Sequence, residues 1–560
     1  MNRGNRPPRT AYAAPATASR KARVTYGGTR RPRRCAQSRS RSTRATCSAN
    51  SSVSRSTPSV CSTAPKSRVA FIRDSPEFTI VFVVGDPAGL AGPDGVRLGT
   101  ATGRAVVLAA VLGSGMTMLD GTVVNVALRT IGADLDASLP ELQWITNGYL
   151  LSMASLILLG GSLGDRFGRR RVFVVGTVWF AVASLACGSA PTPEVLIVAR
   201  ILQGVGAALL TPGSLAMIQG AFVRDDRAQA IGSWSGLTSI AAAVGPLVGG
   251  ALVQYASWRW IFLVNLPIAT LTVVVARRAV PETRDPNAPR RFDALGAVLA
   301  ALALGGLTYA LIEWGGALAP WAVVVTVLAA AAYLVDERRS DHPMLPLGIF
   351  ADRTFTAANA MTMVVYAALG AVLFFLVLQL QTVSGYGALG AGLATLPITF
   401  CMLLLASQGG RLGARIGPRV PMSLGPLVMA AGTLLLLRVG AGTTYWTDVL
   451  PGLVVFGLGL ALLVAPLTAT VLAAVADEHA GIASGVNNAV ARAGSLLAVA
   501  ALPAAVGLRG EEYADPVAFD AAYGSAILAC AALLALGGVV SWLSIRDPGI
   551  GRTAAPPIGR

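Results

Sequence analysis

Three charged side chains interrupt long apolar runs in this 560-residue chain: Asp120, Arg200 and Arg492. A charge inside a membrane span is costly, so by default it faces a cavity or a partner and marks function. Glu313 stands near a helix end, where snorkelling to the interface explains it without any role. Asp120 lies about 8 residues before the outer end of the first apolar run, roughly 12 Å in at the helical rise. Arg200 lies about 6 residues past the outer end of the fourth, roughly 9 Å in. Similar depth makes an Asp120–Arg200 ion pair feasible. A carboxylate held charged by a movable cation takes up and releases a proton as that pair breaks and forms. That is the minimum equipment for coupling to protons.

Other groups join this set by position. Gln203 follows Arg200 by one turn, ahead of the small residues Gly204–Ala208. Close helix packing alone explains the small residues, but not the Arg and Gln. Gly245, Pro246, Gly249 and Gly250 combine small residues with a mid-span proline, which bends a helix or merely kinks a packing helix. Asn125, Tyr149, Gln379 and Asn487 are candidate polar lining of a substrate cavity, with Gln203 and Arg492. Each of the four is better explained as a packing or interhelical hydrogen-bond residue.

The stretch Gly161-Ser-Leu-Gly-Asp165-Arg166-Phe-Gly168-Arg169-Arg170-Arg171 lies between two long apolar runs, Trp144–Leu159 and Val172–Cys187. A short basic loop between two spans stays cytoplasmic, because Lys and Arg resist translocation. It reads as a hinge and cytoplasmic gate.

The surrounding elements are spans. The chain is 54% hydrophobic and 13% charged, against roughly one quarter charged in soluble domains. The net charge of +17 is uneven: 17 Lys and Arg and no acid fall in residues 1–73, leaving 28 of each sign for 74–560. The body is neutral, so the high basicity does not point to nucleic acid.

Residues 1–98 read as a basic tail too poor in apolar residues to fold. It is open to three readings: an arm on anionic headgroups, a transit-type peptide, or sequence upstream of the true start. Lysine occurs only at Lys21 and Lys66 against 43 arginines, a coding bias that favours the third. On that reading, residues 1 to about 95 are dispensable. The cysteines are scattered and His342 and His479 stand far apart, so neither a metal nor a cofactor is expected.

Fourteen apolar runs between 104 and 545 predict fourteen helices. The even number puts both termini on one side. With the Asp165 loop inside, 20 arginines fall on the cytoplasmic side and four outside, so both termini are expected to be cytoplasmic. Gly410-Arg-Leu-Gly-Ala414-Arg415-Ile-Gly417-Pro-Arg419 matches Gly161–Arg170 at six of ten positions, 249 residues on. Two halves related by a parallel repeat place a substrate site between them near midplane. The expected division is 99–278, a six-helix bundle; 279–354, a linker with two extra helices; 355–546, a second bundle; and 547–560, a cytoplasmic tail.

In order and spacing these segments resemble the major facilitator superfamily, and specifically its fourteen-helix drug:proton antiporter family. Gly161–Arg171 is similar to the superfamily's loop 2–3 signature, Leu196–Ala208 to its fourth-helix signature, and Ala241–Gly250 to the fifth-helix antiporter signature. In the last, Ala241 stands where glycine is usual. Leu119–Leu128 resembles the first-helix motif, followed by Arg129 where proline is usual. Ser257–Pro267, Leu380–Tyr386 and Gly481–Ala489 followed by Arg492 are similar to further family hallmarks.

The resemblance implies a proton-driven exporter of lipophilic or cationic drugs and antibiotics, multi-pass in the inner (plasma) membrane and monomeric. Its partners are then protons, a small substrate and the lipid bilayer. It implies Asp120 as the protonation site and Arg200 as its partner. It implies Asp165, Arg166 and Arg169, with Gly161 and Gly168, as a charge latch near helix N-termini. Gly245, Pro246, Gly249 and Gly250 would shape the fifth helix for alternating movement. Export of a single natural product is an alternative, and an uptake symporter a lesser one. An enzyme is not supported, since no metal-spaced cluster exists. An ATP-driven pump needs GxxxxGK[ST], and no lysine follows Lys66.

Overall fold

The computed structural model describes residues 95–285, 293–340, 343–476, 480–508 and 512–546, all in one compact unit. The tail to residue 94, His342, His479 and the segment from 547 lie outside the described residues. Fourteen helices there are long and apolar enough to cross a bilayer. They are α1 (Ala101–Leu135), α2 (Leu139–Phe167), α3 (Arg169–Gly188), α4 (Pro193–Ala221), α5 (Arg224–Tyr255), α6 (Trp260–Ala279) and α7 (Ala294–Ile312). Then come α8 (Ala319–Arg339), α9 (Arg353–Thr382), α10 (Ala388–Ile416), α11 (Arg419–Arg438), α12 (Tyr445–Ala473), α13 (Gly481–Ala505) and α14 (Pro516–Ser544).

Every predicted run is a helix, but several helices outrun their apolar part. α1 has 35 residues and α5 has 32, against the ~20 needed to cross hydrocarbon. Apolarity marks only the stretch in lipid, whereas adding a turn to an existing helix costs little. Asp120 is accordingly 15 residues from the C-terminal end of α1, not about 8. α6 is interrupted at Val264, three residues before Pro267, whose ring removes a helical donor.

Two six-helix bundles pack by one scheme. In the first, α2 and α3 lie on α4, and α1 on α5 and α6; in the second, α10 and α11 lie on α12, and α9 on α13 and α14. The repeat is visible in detail. Gly168 ends α2 at φ +111° and Gly417 ends α10 at φ +86°, a backbone region that favours glycine. Gly176 and Gly425 hold equivalent close approaches: a Cβ on either would sit 2.9 Å from backbone, at Leu210 N and Gly459 O respectively.

The bundles meet along α2 against α13 and α5 against the start of α10, with a smaller α1–α9 contact. Side-chain hydrogen bonds seal one end. Gln143 Nε2 donates to Val499 O at 2.6 Å, Gln381 Nε2 to Val126 O at 2.9 Å and Tyr513 Oη to Ala137 O at 2.8 Å. That end is opposite the Asp165 loop. The inserted α7 packs beside the α2–α13 seam, with Trp144 and Tyr309 rings 6.2 Å apart, while α8 leans on α7 and is largely exposed.

Residues 95–98, counted above with the tail on composition, clasp the α4–α5 junction. Val96 N donates to Ala221 O at 2.8 Å, and Leu98 N to Asp226 Oδ2 at 2.8 Å.

Candidate functional site

A polar network sits inside the first bundle. Arg200 Nη1 on α4 lies 2.5 Å from Asp120 Oδ2 on α1, and both side chains are 1% exposed. Gln203 Nε2 donates to Asp120 Oδ1 at 2.9 Å and to Ser184 Oγ on α3 at 2.8 Å. Asn265 Nδ2, at the interruption of α6, donates to Asp120 Oδ1 at 3.2 Å. Arg200 Nε reaches Ile145 O on α2 at 3.1 Å, Nη1 also reaches Gln203 Oε1, and the guanidinium lies 4.4 Å from the Tyr149 ring centroid. One carboxylate therefore gathers α1, α4 and α6 directly, and α2 and α3 through its partners.

The physical logic is that of a buried ion pair whose remaining valences are met. An ionised carboxylate is an acceptor only, and each neighbour here donates. The low polarity of the surroundings makes a satisfied network rigid and an incomplete one costly. Sequence placed Asp120 and Arg200 together but gave Gln203 to the cavity lining, and it assigned no role to Ser184 or Asn265. Asn265 carried a signal, a polar residue just before Pro267. Ser184 carried none, since serine in a span is commonly satisfied by its own helix.

The cavity is elsewhere. A space of about 270 Å³ lies between α1, α9, α12 and α13, lined by Met118, Tyr366, Asn487, Asn488 and Arg492 among others. Asn487 Nδ2 is bound to Asn359 Oδ1 at 3.2 Å and Thr362 Oγ1 at 2.9 Å. Tyr149 and Gln203 are buried in the Asp120 network instead of lining this space. Gln379 is buried at the sealed end of the second bundle, donating to Val439 O at 3.1 Å and Asp520 Oδ1 at 2.5 Å. Asn125 is half-buried on the α1 face that carries Met118, at helical spacing from it. Asp120 turns into its own bundle, and among the described residues the charged group lining the cavity is Arg492.

The Asp165 loop is also rearranged relative to expectation. Asp165 lies in the last turn of α2, a C-terminal end where a carboxylate is disfavoured. Arg169 Nε compensates it at 2.8 Å, and Nη1 of the same side chain donates to Ala216 O on α4. Arg166 stacks on Phe167, 4.9 Å from the ring centroid. Gly161 faces Pro212 of α4. The carboxylate at a helix N-terminus is Glu282, beyond α6, which accepts from Arg170 N at 3.1 Å at the start of α3. It also lies 3.5 Å from Arg170 Nε and 3.7 Å from Arg171 Nε. Arg169 N donates to Thr283 O, and Asp285 N to Asp165 O. The latch thus ties α2, α3 and α4 to the chain leaving α6. Sequence missed Glu282 because it lies outside the motif, in the linker.

On α5, a Cβ at Gly245 would strike the Thr122 hydroxyl, and one at Gly249 would meet Val123 Cγ1 at 2.9 Å. Gly250 faces the start of α10, where a Cβ would come within 2.7 Å of Leu389 Cα, and Pro246 presents its carbonyl to Gly392. The motif is the joint of α5 with α1 and with the opposite bundle. Among the described residues no group of His, Cys, Asp and Glu could hold a metal ion.

Comparison with known proteins agrees with this architecture. The family model of the Major Facilitator Superfamily matches residues 110–499. The puromycin resistance protein of Streptomyces alboniger is 36% identical over 477 residues, 82% of this chain and 93% of that one. A multidrug resistance protein of Mycobacterium tuberculosis is 37% identical over 404 residues, 71% of this chain and 74% of the relative. Among solved structures, the inward-open xylose transporter of E. coli aligns with a TM-score of 0.54 at 16% identity, covering 80% of this chain and 97% of the other. The repeated six-helix scheme, the loop closed by Gly168 and the matched model together carry the assignment: this chain belongs to the Major Facilitator Superfamily.

Proposed function

We propose that the chain is a proton-driven antiporter that exports antibiotic or other drug-like compounds across the plasma membrane, with both termini cytoplasmic. The observation that carries this reading is the buried Asp120–Arg200 pair and its ring of donors. A proton on Asp120 cancels the charge that holds Arg200 and turns one of the two acceptor oxygens into a donor, which loosens α1 from α4 and α6. Because α1 also seats α5, and α5 seats α10, a change at Asp120 reaches the joint between the bundles. With the Asp165 loop on the cytoplasmic side, the hydrogen bonds at the opposite end support a state closed outside, ready to load from the cytoplasm. The resistance functions in the relatives' names support export over uptake.

The test uses everted membrane vesicles energised by respiration. Adding a transported drug releases protons from the lumen, and a protonophore abolishes drug accumulation. Accumulation that persists in the protonophore sinks the antiport mechanism.

A further inference from the structure

We propose that Arg492 is the charge-recognising group of the substrate cavity, and that the transported compounds are acidic or carry an anionic oxygen: a carboxylate, an enolate or a phenolate. This deepens the exporter reading and rests on it for the claim that what binds is also transported. Arg492 is the twelfth residue of the 25-residue α13, so its guanidinium stands near mid-membrane, where a charge needs an offsetting partner. Among the described residues no carboxylate lines the cavity and none forms an ion pair with Arg492. Among the described residues Arg492 Nη2 donates to the Met118 thioether at 3.7 Å, a weak acceptor for a group with five donors.

Arg200 provides the internal comparison. It has the same side chain in the same membrane, but is held by Asp120, Gln203, Ile145 O and an aromatic face. Arg200 is a structural cation whose valences are met, while Arg492 has donors to offer. Asp120 does not offset Arg492, because its charge is already matched by Arg200 within the bundle. The rest of the wall is mixed, with Met118, Val471, Leu472 and Ala491 beside Tyr366, Ser484 and Asn488. A guanidinium fork in a half-apolar, half-polar wall suits an amphipathic weak acid, since the fork matches a planar oxygen pair. A lipophilic cation would meet the wrong sign.

The probes are two xanthene dyes of like shape and opposite charge, fluorescein and rhodamine 123, titrated into the purified full chain in detergent by fluorescence polarisation. The expected result is at least tenfold tighter binding of fluorescein. Arg492→Gln removes that preference, weakening fluorescein at least tenfold and leaving rhodamine 123 unchanged or tighter. Arg492→Lys, which keeps the charge, retains most of the preference and separates charge recognition from a packing role. Wild type that binds neither dye or both alike overturns the proposal, as does Arg492→Gln with unchanged fluorescein affinity. Binding is read without transport, so anion preference in the absence of efflux would overturn the exporter reading and leave this assignment standing.

Discussion

Asp120 and Arg200 face each other across α1 and α4 with Oδ2 and Nη1 2.5 Å apart, both withdrawn from the cavity into the wall of the first bundle. The group that takes the proton in this scheme is therefore not the group that touches the substrate. On the proposed mechanism, coupling travels through helix packing, as competition for two states of α1, instead of through competition of proton and drug for one carboxylate.

Asp120→Asn tests this directly. Asparagine keeps the shape but leaves Arg200 buried beside a neutral group, an effect of ~3–5 kcal/mol when one partner of a buried pair is lost. Drug-induced proton release in everted vesicles should fall at least tenfold, with a lowered melting temperature. Binding of substrate in detergent should change much less. Wild-type proton release by the mutant excludes Asp120 as the coupling site.

The α5 joint predicts an ordered pair of effects. A methyl at Gly245 meets the Thr122 hydroxyl, the movable end of a side chain, whereas a methyl at Gly250 meets Leu389 backbone at 2.7 Å. Gly250→Ala should disfavour the state closed at this end and Gly245→Ala should not. Thiol labelling of single cysteines placed on either side of the joint reads this, with labelling at the sealed end rising severalfold only for Gly250→Ala. Equal labelling in both variants means that this contact does not hold the closure.

The latch predicts a split between its two acids. Asp165 is half-exposed and its pair with Arg169 is local, worth ~0–1 kcal/mol. Glu282 binds the start of α3 and two arginines from beyond α6. Glu282→Gln should lower the melting temperature by several degrees and slow transport. Asp165→Asn should slow transport with little loss of stability and no change in substrate range. A shift in substrate preference in either variant would move that residue into recognition.

What the sequence determined follows from local physics. Apolar length marked all fourteen spans, and the repeat that ends at Gly168 and Gly417 announced two bundles, because glycine is favoured where the backbone turns at positive φ. The rarity of charge in lipid marked Asp120, Arg200 and Arg492. Depth along the first and fourth helices allowed the Asp120–Arg200 pairing, which rise per residue is sufficient to suggest. Tertiary structure decided which way each charge turns. Helical rise fixes how deep a residue sits, but the rotation of a helix about its axis is set by its neighbours. Asp120 thus turned into its bundle toward Gln203 and Asn265, and Arg492 toward the cavity. Tyr149 and Gln379, polar span residues like Asn487, went to packing positions for the same reason. Glu282 reached α3 only because the chain leaving α6 folds back across the Asp165 loop, an approach over 112 residues that no local pattern encodes.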